Sequence, residues 1–271
     1  MQKTDKFICP KCGEKLTLEG KSYYCENRHC YDVSKYGYVN LLLPNQKNSL
    51  LPGDNKEMAL ARVRVMKKGY YKALSDALIY TLKNIEHSLI LDAGCGIGYI
   101  ADRLKTELAD TEVIGTDISK VAIEQACKKF GEAVYAVCSS IRLPLASNSV
   151  SGIVCAFAPV YKDEFLRVLK DDGLLLRVVP ARNHLYRLKS YLYENPRENE
   201  MDPLSIEGFE YLDTILVKDE FLATGEELYS LIQMTPYYYH TKTEDLQKLL
   251  DVESMSVNTE FELRIYKKIS Q

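Results

Sequence analysis

From Ser88 to Val179 the chain repeats one pattern: a short apolar run, a turn, then a segment with apolar positions at helical spacing. The runs predict strands over 88–93, 112–116, 133–138, 152–157 and 174–179. The intervening segments predict helices over 98–109, 119–130 and 161–170. Strands apolar on both faces, alternating with helices, imply an α/β fold: a doubly wound, largely parallel sheet. Val168 to Gly173 reads as a helix-to-strand turn. The tail, Ser254 to Lys267, offers two further extended runs, and Phe261 to Tyr266 alternates like an antiparallel final strand. Upstream, Pro52-Gly53-Asp54 breaks the chain. A helix begins after Asp54 or Asn55, runs to Lys68 and stops at Gly69; a second opens at Tyr70-Tyr71 and continues through Leu82. These boundaries divide the chain into a small module (1–45), a helical linker (46–84) and an α/β domain (85–271). Segment 181–250 does not follow the alternation and reads as an insertion.

Ligands of such sheets bind beyond the carboxyl ends of the strands. At that edge stands Leu91-Asp92-Ala93-Gly94-Cys95-Gly96-Ile97-Gly98, and the next strand ends in Asp117. The glycines let backbone approach a ligand closely, and an acid at the second strand end accepts hydrogen bonds from a ribose diol. The glycines fall as G-x-G-x-G rather than the dinucleotide G-x-G-x-x-G, and no Lys-Ser/Thr pair follows to make a P-loop. This arrangement resembles motif I of the class I methyltransferases, which use S-adenosylmethionine. The resemblance implies that Asp92 lies near the methionine moiety, that Gly94, Gly96 and Gly98 pass under the cofactor, and that Asp117 holds the ribose hydroxyls. Many relatives carry an adenine-reading acid where this chain has Ser139-Ser140. Segment 181–250 would then cover the cofactor and help form the acceptor pocket.

The cysteines change the picture at the N-terminus. Four of the eight fall within positions 9–30. Cys9-Pro10-Lys11-Cys12 places two thiolates on one tight turn. Cys25 arrives after Leu16-Thr17-Leu18 and Lys21 to Tyr24, which alternate like a hairpin around Glu19-Gly20. His29 and Cys30 both reach the position of a fourth ligand. Such a set suits tetrahedral zinc, and with no water-activating acid beside it the ion is structural. Cys95, Cys127, Cys138 and Cys155 lie in expected core elements and read as packing residues.

Charge separates the same two parts. Residues 1–72 hold 14 Lys and Arg against 7 Asp and Glu, while the remainder holds 21 against 31. A basic N-terminal part on an acidic body suits a polyanionic partner. Tyrosines interleave with lysines from Asp32 to Leu42, as on surfaces that stack bases, and Arg62, Arg64, Lys67 and Lys68 would hold phosphates. Tyr237-Tyr238-Tyr239 is a second candidate for base stacking. No apolar run approaches the roughly 20 residues that cross a bilayer, and the first residues carry no apolar signal segment. The expectation is a cytoplasmic protein.

The whole chain resembles the RlmA family, bacterial enzymes that methylate N1 of a guanine in a hairpin loop of 23S rRNA. The matching stretches include Cys9-Pro-x-Cys12, Cys25-x-x-x-His29, Gly37-Tyr-Val-Asn-Leu-Leu42, Pro52-Gly-Asp54, Leu91 to Tyr99, Asp117 to Ala122, Ala158-Pro159, Arg182 to Leu185 and Gln233-Met-Thr-Pro236. The resemblance implies that His29 rather than Cys30 completes the zinc site with Cys9, Cys12 and Cys25. It implies cofactor contacts at Tyr71, Gly98, Tyr99 and His184, and a homodimer whose cleft takes the RNA hairpin. No residue is identified as catalytic; His184 is a candidate base. Two other readings compete. A methyltransferase for a small metabolite is opposed by the basic zinc module. A zinc-dependent RNA-binding protein with a vestigial cofactor fold is opposed by the intact Asp92, Gly94, Gly96, Gly98 and Asp117.

Overall fold

The computed structural model describes residues 3–46, 53, 55–83 and 88–269. Pro52 and Asp54 of the expected break, and part of the expected linker, lie outside the described residues. In the small module, β1 (Thr17–Glu19) and β2 (Ser22–Tyr24) pair antiparallel around Gly20, whose φ of +63° suits a residue without Cβ. β3 (Cys30–Asp32) completes this sheet. Phe7, Leu16 and Tyr23 are its buried core. β4 (Val39–Asn40) leaves the module to join the large sheet.

Helix α1 (Lys56–Lys67) starts where the Asn55 side chain accepts from the Met58 N–H at 2.9 Å, and Gly69, at φ +81°, ends it. Its Ala59, Ala61, Val63 and Val65 are buried. Helix α2 (Lys72–Lys83) follows. The α/β unit then runs β5 (Leu89–Ala93), α3 (Tyr99–Glu107), β6 (Glu112–Asp117), α4 (Lys120–Lys129), β7 (Val134–Val137), β8 (Val150–Ala156), α5 (Lys162–Val168) and β9 (Leu169–Pro180). Then come α6 (Tyr186–Leu192), β10 (Phe209–Ala223), α7 (Gly225–Gln233), α8 (Thr243–Leu250) and β11 (Met255–Lys268).

The large sheet has the order β10-β11-β9-β8-β5-β6-β7-β4. β4 through β9 run parallel and β10 and β11 antiparallel. Chain order reverses between β5, which leads outward to β6 and β7, and β8. That junction opens the crevice in which such sheets bind ligands. Two apolar layers cover the sheet, one including Leu74, Leu78 and Ile123, the other including Phe165, Val168 and Tyr266.

Three expectations are corrected. Lys170 to Gly173 is not a free turn: it lies in β9 as an irregularity, Val150 pairing with Leu169 and Gly152 with Leu174. The tail is one long strand rather than two runs. Segment 181–250 is not simply an insertion, because β10 within it is the edge strand of the sheet. The small module is also knitted to the large sheet. β4 pairs with Ala136 and Val137 of β7, the Ile8 N–H donates to the Pro144 carbonyl at 3.0 Å, and Phe7 bridges Leu145.

Candidate functional site

β5 delivers Asp92 beneath the glycine turn, at 1% exposure. Its Oδ2 accepts from the Ala101 N–H at 3.1 Å. Burial pushes its carboxyl up to about 7; the Ala101 N–H opposes that and the charge of Asp117 adds to it. The turn curls back on the next strand: the Gly94 and Cys95 N–H groups both donate to the Thr116 carbonyl, at 2.8 and 2.9 Å. Asp117, at the end of β6, fastens the turn from the other side. One of its oxygens accepts from the Gly96 N–H at 2.9 Å and the other from the Ser119 N–H at 2.7 Å. A cavity of about 310 Å³ lies over this turn, with Asp92, Gly94, Gly96, Tyr99, Asp117 and Ser139 in its wall.

The three glycines do different work. A Cβ on Gly96 would meet nothing within 4 Å, so its backbone faces open space. A Cβ on Gly94 would stand 2.7 Å from the Ala158 Cβ. Gly98 is absent from the cavity wall. A Cβ there would lie 2.6 Å from the Tyr135 hydroxyl and 2.7 Å from the Ala126 Cβ, so this glycine lets α3 pack on the sheet. Tyr99, the first residue of α3, does line the cavity and meets Phe130 edge-on at 5.7 Å. Ser139 lines it too, its hydroxyl accepting from the Ile141 N–H at 3.3 Å.

The far wall comes from outside the glycine motif. Tyr71 is buried there, and burial pushes its phenol well above the usual range. Arg62 and Met66 of α1 line the same cavity, as do Phe157, Pro159 and Tyr161. Arg62, expected on RNA phosphates, lines the cavity. Arg64, expected in the same role, donates to the Ser230 hydroxyl and the Gln233 side-chain oxygen, tying α1 to α7, and Lys68 pairs with Glu227. Of the wall residues Arg62, Met66, Phe157 and Tyr161, sequence reasoning singled out none as a cavity residue. They come from α1 and from the segment after β8, which only the fold brings together; the signal at hand was the Ala158-Pro159 stretch beside Phe157.

His184 lies elsewhere. It is buried, its Nδ1 accepts from the Glu260 N–H at 3.3 Å, and its ring meets Phe261 at 4.6 Å. Phe261 in turn meets Tyr71, so His184 sits one ring behind the wall. Burial, helped by the charge of Lys189, drives its imidazole down to about 3. No residue of segment 181–250 lines the cavity. The segment packs against α1 and the β11 side of the sheet. Of the three tyrosines, Tyr237 is engaged inward, donating to Asn199 at 2.6 Å.

In the small module, Cys9, Cys12, Cys25 and His29 converge, all four ligand atoms within 4.8 Å of one another. Tetrahedral zinc with Zn–S near 2.3 Å and Zn–N near 2.0–2.1 Å sets sulfurs about 3.8 Å apart and sulfur from nitrogen about 3.5 Å. The Sγ atoms of Cys12 and Cys25 are 3.7 Å apart, and His29 Nδ1 is 3.4 Å from Cys25 Sγ and 3.5 Å from Cys9 Sγ. The donor set therefore fits zinc. Cys30 stands in β3 outside the cluster, exposed and beside Asp32. The Tyr31 hydroxyl instead reaches Cys9 Sγ, at 3.2 Å.

The comparisons agree with both halves. Residues 7–50 match the family model described as RlmA, N-terminal, and residues 90–173 match the model for a methyltransferase domain. The Bacillus subtilis protein YxjB, named as a 23S rRNA (guanine-N(1)-)-methyltransferase, is 30% identical over 96% of each chain. The 23S rRNA (guanine(748)-N(1))-methyltransferase of Streptomyces fradiae is 27% identical over 89% of this chain and 88% of its own. Among solved structures, one chain of the Haloferax volcanii complex between the Trm112 activator and a methyltransferase superposes with a TM-score of 0.51, at 13% identity over 80% of this chain and all of that one. At that identity it supports the fold alone. With a zinc-binding tetrad at one end and a methyltransferase cavity at the other, matched along nearly its whole length, the chain belongs to the family of 23S rRNA (guanine-N1)-methyltransferases.

Proposed function

We propose that this protein transfers a methyl group from S-adenosylmethionine to N1 of a guanine in a hairpin loop of 23S rRNA. The observation that carries the reading is the joining of a module with a zinc-binding tetrad to a methyltransferase sheet through β4. A small-molecule enzyme has no use for such an attachment. The cofactor supplies a methyl group made electrophilic by a cationic sulfur. Asp92, Gly94, Gly96, Tyr99, Asp117, Ser139 and Tyr71 are the proposed contacts. Asp117 holds the turn rigid through Gly96 and Ser119 and is the proposed partner of the ribose diol. Asp92, whose carboxyl is held up to about 7 in the cofactor-free fold, would ionise against the cationic end of a bound cofactor. Tyr71 and Phe157 exclude water from the acceptor side, and most of the acceleration comes from positioning. The guanine must leave its loop to reach the cavity.

The proton on guanine N1 must also depart. His184 is not placed to take it, being behind Phe261. Asp92 and Asp117, the carboxylates of the wall, are both engaged by backbone N–H groups. We therefore assign proton loss to water.

Two further features belong to this reading. A homodimer is supported by β10, whose outer edge pairs with no strand among the described residues and whose Leu212, Leu216 and Leu222 are exposed; light scattering on the purified protein decides it. A cytoplasmic location follows from the rRNA substrate. No described helix is long and apolar enough to cross a membrane.

The test is transfer of labelled methyl to a 23S hairpin transcript, with guanosine monophosphate and small amines as alternative acceptors. The reading requires label in the RNA. Label in the small molecules with none in RNA overturns it.

A further inference from the structure

Phe157 follows β8 directly and has a φ of +56°, the left-handed region that a bulky side chain enters only at a cost. Strain of this kind persists where the surroundings over-determine it, and it concentrates at functional sites. The surroundings here do so. The Phe157 N–H donates to the Val178 carbonyl at 3.1 Å, continuing the ladder between β8 and β9. The Cys155 thiol meets the Ala158 carbonyl at 3.4 Å, and Ala158 packs against Gly94. What the strained backbone achieves is the direction of the ring. It stays 43% exposed in the cavity wall, although an apolar layer lies directly behind it. It stands edge-on to Tyr71 at 6.2 Å and tilted to Phe261 at 5.5 Å, so two buried rings fix its plane.

The same cavity wall carries Asp92, the glycine turn and Asp117, which suit a charged amino acid and a ribose. The Phe157 side suits a flat, uncharged heterocycle. An exposed, immobilised ring costs an incoming base little to stack upon, because the protein's own ordering is already complete.

We propose that Phe157 is the platform on which the acceptor guanine stacks while its N1 faces the methyl donor. This rests on the proposed function, and the experiment separates the two. Wild-type protein is first assayed on the 23S hairpin transcript; absence of methylation there refutes the function reading. With an active wild type, Phe157→Ala, Phe157→Leu and Phe157→Tyr are compared for kcat/KM on RNA and for cofactor affinity by calorimetry. Stacking on an aromatic ring is worth about a ten- to hundredfold factor. The expected result is a loss of that size in kcat/KM for Phe157→Ala and Phe157→Leu, near wild-type activity for Phe157→Tyr, and cofactor affinity within about threefold throughout. Wild-type activity in Phe157→Leu overturns the platform, since bulk would then suffice. Parallel loss of cofactor affinity and activity overturns it as well, since Phe157 would then be supporting Tyr71 and the donor side.

Discussion

Replacing Asp92 by Asn should make the cofactor-free protein more stable at alkaline pH while disabling it. In the fold the carboxyl keeps its proton up to about pH 7, whereas its ordinary value is 3.8. Because the folded value is raised, the unfolded chain ionises first, and stability is lost as pH rises from about 4 to about 7. Each pH unit across that window costs about 1.4 kcal/mol, so the full penalty above pH 7 is about 4 kcal/mol, of which about 3 kcal/mol accrues between pH 5 and pH 8. Asparagine escapes this term. Its oxygen can still accept from the Ala101 N–H, but its buried amide hydrogens cost about 1–3 kcal/mol at every pH. The difference between variant and wild type should therefore swing by about 3 kcal/mol in favour of the variant between pH 5 and pH 8. For a chain of this size that is roughly 5–10 °C in relative Tm. Thermal melts of both proteins without cofactor, taken across that range, read it directly. Cofactor should raise the wild-type Tm and leave the variant's unchanged. A Tm difference that stays constant with pH refutes the reasoning, because the carboxyl would then ionise normally in the fold.

The glycines offer a paired test. Gly98→Ala places a methyl against Tyr135 and Ala126 and should cost about 2–4 kcal/mol of stability. Gly96→Ala should cost about 1 kcal/mol, at its φ of +54°, yet weaken cofactor binding more, because its face is open to the cavity; melts and calorimetry together separate the two. Metal analysis should find one zinc per chain in wild type and Cys30→Ser, and none in Cys25→Ser, whose small module should lose its protection from proteolysis. For His184 the folded value is depressed, so stability is lost as pH falls below about 6.5. His184→Asn should flatten that acid loss in thermal melts and leave the pH profile of methyl transfer unchanged; a shifted profile would make His184 the base.

The parts of this protein visible in its sequence are those where neighbouring residues do one job together. Residues 91–98 form strand, turn and helix start within a single unit, and the C-x-x-C knuckle needs only its own hairpin. Their chemistry could be read because the backbone there is locally determined. Non-local features left no such mark. β4 is two residues long and exists because β7 offers it an edge. β10 is mostly exposed and mixes charges with leucines, so it shows neither the apolar run of a central strand nor a helical stripe. Gly98 looked like a cofactor glycine because spacing cannot distinguish a backbone that faces a ligand from one that faces Tyr135. Arg62 and Phe157 carry no motif. They reach one cavity because α1 packs on α4 and α7 while β8 ends at the switch point.

The most direct measurement is reverse transcription of 23S rRNA from cells with and without the gene, followed by nucleoside mass spectrometry of the stopping position. A methyl group on guanine N1 blocks base pairing. We expect a single stop in one hairpin loop, identified as N1-methylguanosine, that vanishes on deletion and returns with the wild-type gene but not with Asp92→Asn. Identical stop patterns in the two strains, or a methyl group lost from a different atom or a different RNA, would contradict the account.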